Sequence, residues 1–294
     1  EFASYRSWLS FPLSFPLEGM RIGCLRAHEL GEKMGLSNLW VLLSCWAPER
    51  GATLPTGTFK TLEAAGVMMR VLEQTDRTLI VSSAGNAGNA VLEFGTRFGV
   101  PAVMIIPQSA CADIRVSEDP GPHSPLLICL EESTYPDAIC MVGRIVDRFP
   151  EKLVREGGAY NVARRDAMGV PVLRAVQATG RIPDHYVQAV GSGTGGIAAW
   201  EAVMRLRGNG GFRRAPMKLH LVQNTPFTPM VDAWKSGNCT VRVMGPREAY
   251  EKLEQTYSRV LANADPPWSV AGGVREAVRS TDGDMVAVTN REAR

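Results

Sequence analysis

The sequence predicts an α/β protein with two three-layer α/β/α domains built on sheets rich in parallel strands. From residue 58 onward, short apolar segments alternate with segments of helical length, which is typical of parallel strands covered by helices. Two of the predicted strands run directly into loops that contain glycine and open a helix. The length of 294 residues, with 45% hydrophobic and 21% charged residues, suits a globular protein with one large or two medium domains.

The first part of this alternation begins beside a lysine. Thr58 is the predicted N-cap of a helix over 59–75. The apolar residues at helical spacing within it are Leu62, Ala65, Met69 and Leu72. The segments that follow are predicted as a strand over 78–83, a helix over 86–99, a strand over 102–106 and a strand over 126–130.

The second part continues the same pattern. Its next helix has the clearest apolar face in the chain, formed by Ile139, Val142, Ile145, Val146 and Phe149. Gly157 and Gly158 open a polar loop that is predicted to run to Asp166, and the proline-rich stretch 119–125 is also predicted as loop. The remaining predicted elements are a helix over 168–179, a strand over 185–190, a helix over 196–207 and a strand over 218–222.

Composition excludes several classes of protein. The net charge of +2 and the lack of a basic stripe with interleaved aromatic residues argue against a nucleic-acid partner. No apolar run approaches the roughly 20 residues that a membrane helix needs. The four histidines have no metal-ligand spacing, and we predict that His185 and His220 are structural and that there is no metal site.

The six cysteines are scattered without a C-x-x-C pair. Cys129 and Cys140 lie in apolar runs, where a buried free thiol acts as a small hydrophobic group. This pattern predicts a reducing, cytoplasmic setting.

Two strand–loop–helix units predict two anion sites. Ser83-Ala84-Gly85-Asn86 follows the first strand, and Gly191-Ser192-Gly193-Thr194-Gly195-Gly196 follows a later one. Each places free backbone N–H groups and the positive end of a helix dipole at the carboxyl edge of a sheet. A dinucleotide site is the alternative for the second loop. It requires an acidic residue about twenty positions on, and residues 213–223 contain none.

Lys60 stands in the first turn of its predicted helix, where its charge opposes the helix dipole. Alone, it is best explained as an exposed surface residue. Together with two anion sites, it predicts a Schiff-base lysine for pyridoxal 5′-phosphate, whose phosphate would lie on Gly191, Ser192, Gly193, Thr194 and Gly195.

The other candidate residues each have two interpretations. Asn86 is either a plain helix N-cap or the residue that faces the ring hydroxyl of the cofactor. Arg164 and Arg165 are either surface charge or bidentate contacts to a second anion. The residues predicted to contact a substrate are Thr58, Ser83, Ala84, Gly85, Arg164 and Arg165.

The chain resembles the fold-type-II pyridoxal-phosphate enzymes, the tryptophan synthase β and threonine synthase group, and within it the cysteate synthases. The segments that carry the resemblance are 35–40, 46–52, 57–64, 83–86, 156–166, 184–201 and 223–230. The resemblance implies that Lys60 is the Schiff-base lysine and proton shuttle, that Asn86 faces the ring hydroxyl, and that Gly191 to Gly195 hold the phosphate.

The activity that the resemblance implies is β-replacement through an aminoacrylate, with O-phospho-L-serine and sulfite giving L-cysteate and phosphate. Threonine synthase, O-phosphoserine sulfhydrylase and a related enzyme of a specialised pathway are neighbouring alternatives. A nicotinamide-dependent oxidoreductase and a non-catalytic relative that serves as an interaction module belong to different classes.

The resemblance also implies an organisation and an assembly. We expect a smaller domain over 58–155, inserted in a larger one formed by 1–57 and 156–294, and a homodimer that acts on a small anionic amino acid. We also expect a piece of a longer protein, because the chain opens at Glu1 and the family continues beyond the position of Arg294 with the partner of the pyridine nitrogen.

Overall fold

A computed structural model of the chain describes residues 2–13, 17, 19–74, 76–83, 85–115, 124–209, 211–212 and 217–294. The chain divides into two compact units, Glu1–Pro171 and Val172–Arg294. The predicted domain over 58–155 stays a prediction. Residues 119–123 of the predicted proline-rich loop lie outside the described residues.

The first unit opens with short elements that form two small antiparallel pairs. A 3₁₀ helix covers Phe2–Trp8. One α-helix follows, α1 (His28–Met34). The four short strands are β1 (Gly23–Arg26), β2 (Trp40–Leu43), β3 (Trp46–Ala47) and β4 (Ala52–Thr53). Strand β1 pairs with β2, and β3 pairs with β4, in both cases antiparallel.

The main sheet of the first unit has four parallel strands in the order β7-β6-β5-β8. Its strands are β5 (Thr78–Val81), β6 (Ala102–Pro107), β7 (Leu126–Leu130) and β8 (Leu153–Arg155). The helices between and before them are α2 (Lys60–Gln74), α3 (Asn86–Phe98) and α4 (Tyr135–Arg148). Strand β8 was not predicted, and it places the residues that follow it next to the end of β5.

The predicted apolar face of α4 is only partly correct. Val142 is buried and packs with Ala138, Ile80 and Ile105, while Ile145 and Val146 are partly buried at the edge of that cluster. Ile139 and Phe149 are exposed, at 51% and 46%. Phe149 lies just beyond the end of α4 at Arg148, and Ile139 lines a cavity of the first unit. On α2, likewise, Leu62 is buried but Leu72 is exposed.

Helix α5 (Val162–Thr179) begins earlier than predicted. The last part of the predicted polar loop, residues 162–166, is helical, and at its start the Asn161 side chain accepts a hydrogen bond from the backbone N–H of Arg164 at 3.1 Å. Asn161 therefore caps the start of α5. The charged sequence Arg164-Arg165-Asp166 led to the prediction of a loop at this position.

The second unit contains a parallel sheet in the order β11-β10-β9. Its strands are β9 (His185–Ala189), β10 (Lys218–Asn224) and β11 (Asp284–Val288). Its helices are α6 (Thr194–Asn209), α7 (Pro229–Lys235), α8 (Pro246–Gln255), α9 (Val274–Ser280) and α10 (Asn290–Ala293). The core forms where Leu219 and Leu221 of β10 meet Met230, Trp268 and Val274.

The predicted state of two cysteines is wrong. Cys129 forms a disulfide with Cys111, with 6.9 Å between their Cα atoms, and Cys140 is free but exposed. The apolar runs suggested burial, but β7 is the edge strand of its sheet and Cys129 lies on its exposed side. A 3₁₀ helix over Gln108–Asp113 brings Cys111 back to this edge.

Among the described helices, none combines the length and the apolar character needed to cross a membrane.

Candidate active site

Lys60 is the first residue of α2, as the sequence predicted to within one position. Its backbone N–H donates to the Thr58 hydroxyl at 3.3 Å. The Thr56 hydroxyl lies 2.9 Å from that of Thr58 and 2.7 Å from that of Thr61. This hydroxyl cluster caps the helix and holds the backbone of Lys60 in place.

The amine of Lys60 forms an ion pair with Glu63, one turn further along the helix. The Lys60 side chain is 26% exposed, whereas that of Glu63 is 4% exposed. The amine thus lies near the surface while its carboxylate partner is almost completely withdrawn from water. Sequence analysis did not identify Glu63, although its i,i+3 spacing from Lys60 was a usable signal.

Arg164 lies on the other side of Glu63. Its Nη2 atom is 2.9 Å from Glu63 Oε1, and its Nη1 atom forms an ion pair with Glu156. Arg164 is 7% exposed, and its Nε atom has no hydrogen-bond partner among the described residues. The surface-charge interpretation of Arg164 is therefore wrong. Both terminal nitrogens of Arg164 contact carboxylates of the protein. Its predicted contact with substrate stays a prediction.

Arg165 has a different environment. Its Nη1 atom donates to the backbone carbonyl oxygen of Ala159 at 2.9 Å, and the residue is half-buried. Its predicted contact with substrate also stays a prediction.

Glu156 follows strand β8 directly, and burial raises the pKa of its carboxyl. The neighbouring charge of Glu63 raises this pKa further, while Arg164 and Lys60 oppose the shift. Lys60, Glu63, Arg164 and Glu156 form a chain of alternating charge, which we call the lysine network.

The predicted carboxylate loop links β5 to α3. Gly85 occupies the N-cap position of α3 and Asn86 is its first residue, so the simple N-cap interpretation of Asn86 is wrong. The capping group is the Ser83 hydroxyl, which accepts a hydrogen bond from the backbone N–H of Gly88 at 3.2 Å. Ala84 lies outside the described residues.

A cavity of about 170 Å³ in the first unit joins this loop to the lysine network. Glu63, Ser83, Ala87, Glu156 and Gly157 line it, together with apolar residues of β5 and α4. Within the first unit the structure therefore brings the predicted carboxylate loop, the buried Glu63 and the partly buried Glu156 to one cavity. Tyr135, which sequence analysis missed, donates from its hydroxyl to the Ser82 carbonyl oxygen at 2.7 Å, and burial raises its pKa.

The glycine loop lies in the second unit, between β9 and α6. Gly193 has φ +78°, and a Cβ atom there would lie 2.5 Å from Val274 Cγ2. A Cβ atom at Gly191 would lie 2.8 Å from the Leu261 carbonyl oxygen. Helix α6 begins at Thr194, two residues earlier than predicted, so the backbone N–H groups of Gly195 and Gly196 belong to its first turn.

Two further observations concern the predictions for the second unit. Strand β10 ends in Gln223 and Asn224 rather than in an acidic residue. The Gln223 side-chain oxygen instead accepts from the backbone N–H groups of Met230 and Val231, at 3.0 and 3.1 Å. Among the described residues no group of three or more His, Cys, Asp or Glu could hold a metal ion.

His185 and His220 pair with each other, with His185 Nδ1 lying 2.9 Å from His220 Nε2. Partial burial and the neighbouring imidazole of His185 lower the pKa of His220. The pair lies at the amino ends of β9 and β10, opposite the glycine loop, in keeping with its predicted structural role.

The chain is similar to cysteate synthases over most of its length. It is 40% identical over 290 residues to that of Methanosarcina mazei, which covers 98% of this chain and 69% of the relative. It is 43% identical over 292 residues to that of Methanosphaerula palustris, covering 99% of this chain and 67% of the relative.

Solved structures share the fold. Maize serine racemase matches with a TM-score of 0.68 and 14% identity, covering 99% of this chain and 79% of the other. Threonine deaminase isoform 2 from Solanum lycopersicum matches with a TM-score of 0.65 and 15% identity, covering 99% and 71%. At these identities the likeness concerns the fold alone, and it confirms the predicted fold-type-II architecture.

A family model described as pyridoxal-phosphate dependent enzyme matches residues 24–294. The nicotinamide and the non-catalytic alternatives are therefore wrong. The chain belongs to the family of pyridoxal-phosphate-dependent enzymes.

Proposed function

We propose that this enzyme is a cysteate synthase, which converts O-phospho-L-serine and sulfite to L-cysteate and phosphate. The observation that carries the proposal is the 40% identity to a cysteate synthase over 98% of the chain. At Cβ of the substrate the C–O bond breaks and a C–S bond forms, so the reaction balances without an oxidant or a reductant.

The residues of each unit fit the cofactor. In the second unit, the close contacts that a Cβ atom would make at Gly191 and Gly193 require glycine in this loop. The backbone N–H groups of the first turn of α6, which follows directly, are suited to hold a phosphate. In the first unit, Lys60 presents a partly exposed amine on a capped helix start. The first unit thus offers a primary amine that can react with the aldehyde of pyridoxal phosphate, and the second unit offers backbone N–H groups that can hold its phosphate.

Pyridoxal phosphate, when bound, supplies an aldehyde that captures an amino group and a ring that accepts the electron pair released at Cα. Lys60 takes the proton from Cα of the substrate and later returns it. Ser83, Gly85 and Ala84 bind the substrate carboxylate, Thr58 contacts the substrate beside Lys60, and Asn86 faces the ring hydroxyl.

Gly191, Ser192, Gly193, Thr194 and Gly195 would hold the phosphate of the cofactor. The Ser192 and Thr194 hydroxyls lie 2.9 Å apart, so both can turn toward the same anion. Arg164 and Arg165 both stay candidates for binding the substrate phosphate or sulfite. Both terminal nitrogens of Arg164 contact carboxylates, and Nη1 of Arg165 contacts the Ala159 carbonyl oxygen.

We also propose a homodimer, a smaller domain over 58–155 and a cytoplasmic location. The first two are supported by the fold type. The cytoplasmic location is supported by the four free cysteines, Cys24, Cys45, Cys140 and Cys239. The Cys111–Cys129 disulfide argues against it.

Product analysis by mass spectrometry tests the reaction. The protein, loaded with pyridoxal phosphate, is given O-phosphoserine with sulfite, and Lys60→Ala serves as the control. The proposal expects cysteate from the unchanged protein alone. Cysteine formed from sulfide, without cysteate from sulfite, would contradict it in favour of a sulfhydrylase.

A further inference from the structure

The lysine network contains two carboxylates that the proposed reaction does not use. Glu63 is 4% exposed and Arg164 is 8% exposed in their side chains, so their contact is shielded from solvent. Isolated buried charges are costly, and an ion pair offsets that cost only when its geometry is good and its other polar atoms are satisfied. Glu63 satisfies both oxygens, one on Lys60 and the other on Arg164.

We propose that Glu63 is a positioning residue for Lys60, which holds the free amine as an ammonium ion and thereby sets how readily it becomes a neutral nucleophile and base. This inference rests on the proposed role of Lys60. Glu63 acts through Lys60, and Arg164 and Glu156 act through Glu63.

The position of Lys60 makes such a partner necessary. A positive charge in the first turn of a helix is disfavoured by the helix dipole. Glu63 places a negative charge against the amine from the same face of α2, which reverses the local preference. Arg164 contacts the other oxygen of Glu63 at 2.9 Å and so offsets the cost of burying that charge.

The charge balance of the network supports the same inference. With Lys60 protonated, two positive and two negative groups cancel. With Lys60 neutral, the remaining groups carry one uncompensated negative charge in a buried place. Glu156, whose pKa is raised by burial, is the group that can take up a proton in that state. Arg155 lines the same cavity and pairs with Asp147.

Chemical labelling of the amine tests the proposal without any turnover. The full chain is freed of cofactor and treated briefly with an acetylating reagent, and the acetylation rate of Lys60 is measured by peptide mass spectrometry. At about pH 7.5 we expect Glu63→Gln to raise this rate about tenfold, the scale on which one opposite charge shifts an ionisation. The rates of the other lysines, Lys218 among them, serve as references and should not change.

The same helix offers a matched control. Arg70 and Glu73 form an i,i+3 ion pair on α2, with 2.6 Å between Nη1 and Oε2, but Glu73 is 38% exposed. Glu73→Gln should leave the labelling of Lys60 unchanged. An equal rise in both variants would overturn the proposal.

The pH profile separates charge from accessibility. If Glu63 acts on the ionisation of Lys60, the tenfold ratio of the two rates should narrow to about threefold or less as the pH is raised to about 11, because protonation of the amine then limits both rates less. A tenfold difference that persists at that pH means that Glu63 only shields the lysine, and the proposal is wrong. If Glu63→Gln does not fold, Glu63→Asp replaces it. The aspartate side chain is one methylene shorter, so we expect it not to contact Lys60 and Arg164 together. The acetylation rate of Lys60 should then rise about threefold, and an unchanged rate would count against the proposal.

Cofactor protection distinguishes this proposal from the proposed function. Loading the unchanged protein with pyridoxal phosphate should block acetylation of Lys60. Failure of that protection refutes the role of Lys60 in the proposed function. Successful protection with equal rates in the cofactor-free unchanged and Glu63→Gln proteins refutes the role of Glu63 alone.

Discussion

Arg164 Nη2 lies 2.9 Å from Glu63 Oε1, and this contact joins the first turn of α5 to the first turns of α2. Both side chains are buried, so neither charge has water as a substitute partner. Among the described ion pairs of the lysine network, those of Arg164 join its two carboxylates, Glu63 and Glu156. The contact with Glu63 therefore links Glu156 to the end of the network that holds Lys60.

Arg164→Met should destabilise the fold strongly. Removing one partner of a buried ion pair costs about 3–5 kcal/mol, because the carboxylates of Glu63 and Glu156 are left without it. Unfolding in denaturant measures the change. Arg247→Met is the control, since Arg247 and Glu251 form a pair at the surface with exposures of 93% and 56%, and we expect a change within about 0.5 kcal/mol. Equal effects of the two substitutions would show that the buried pair has no special weight.

Gly193→Ala should weaken cofactor binding about tenfold or more. The added Cβ atom would lie 2.5 Å from Val274 Cγ2, and φ +78° is unfavourable for alanine by about 1–2 kcal/mol. Both effects displace the start of α6, which we propose to hold the phosphate. Titration of the cofactor's absorbance gives the dissociation constant.

Gly208→Ala provides the control for that substitution. Gly208 lies in the same helix, and a Cβ atom there meets nothing within 4 Å. We expect unchanged cofactor affinity and a stability equal to or slightly above that of the unchanged protein. An unchanged affinity in Gly193→Ala would place the phosphate elsewhere.

Glu156→Gln should change how stability depends on pH. The pKa of Glu156 is raised in the folded state, so between the unfolded value and the folded value the native protein binds more protons than the unfolded chain. This carboxyl therefore makes the unchanged protein lose stability as pH rises from about 4.5 through the folded pKa. Relative to the variant, the melting temperature of the unchanged protein should fall with rising pH across that window. A constant difference would mean that Glu156 has an ordinary pKa.

The Cys111–Cys129 disulfide predicts a definite labelling pattern. Alkylation without reductant should modify Cys24, Cys45, Cys140 and Cys239 after unfolding, and should leave Cys111 and Cys129 linked in one peptide pair. Cys129→Ser should lower stability by about 3 kcal/mol, the usual effect of a bridge that closes a loop of this size. Alkylation of all six cysteines would show that the bridge is absent from the isolated protein.

Much of this arrangement could be predicted from the sequence, because it depends on local rules. Apolar periodicity predicted α2, and the glycine-containing loops predicted the helix starts at Asn86 and Thr194 to within two residues. Lys60 alone resembles a surface residue, and it was predicted as the Schiff-base lysine only in combination with the two anion loops, each of which is recognisable in a short stretch of sequence.

The network behind Lys60 could not be predicted in the same way. Glu63 matters because Arg164, far along the chain, packs against it, and that contact depends on tertiary structure. Glu156 follows a strand of only three residues, too short for a periodic pattern. The early start of α5 was hidden because its cap, Asn161, precedes a charged stretch that is typical of loops.

Asn161 has a consequence for which changes of length the chain can accept. Its side-chain nitrogen donates to the Glu156 carbonyl oxygen at 2.8 Å, while its oxygen accepts from the N–H of Arg164 at 3.1 Å. One amide thus spans the interval between two members of the lysine network. An insertion or deletion between Glu156 and Asn161 would separate Glu156 from Arg164 even if every charged residue were kept. Surface loops commonly tolerate insertions and deletions. Here we expect the number of residues between Glu156 and Asn161 to be restricted, because a change of length would disturb the charged residues that act on the amine of Lys60.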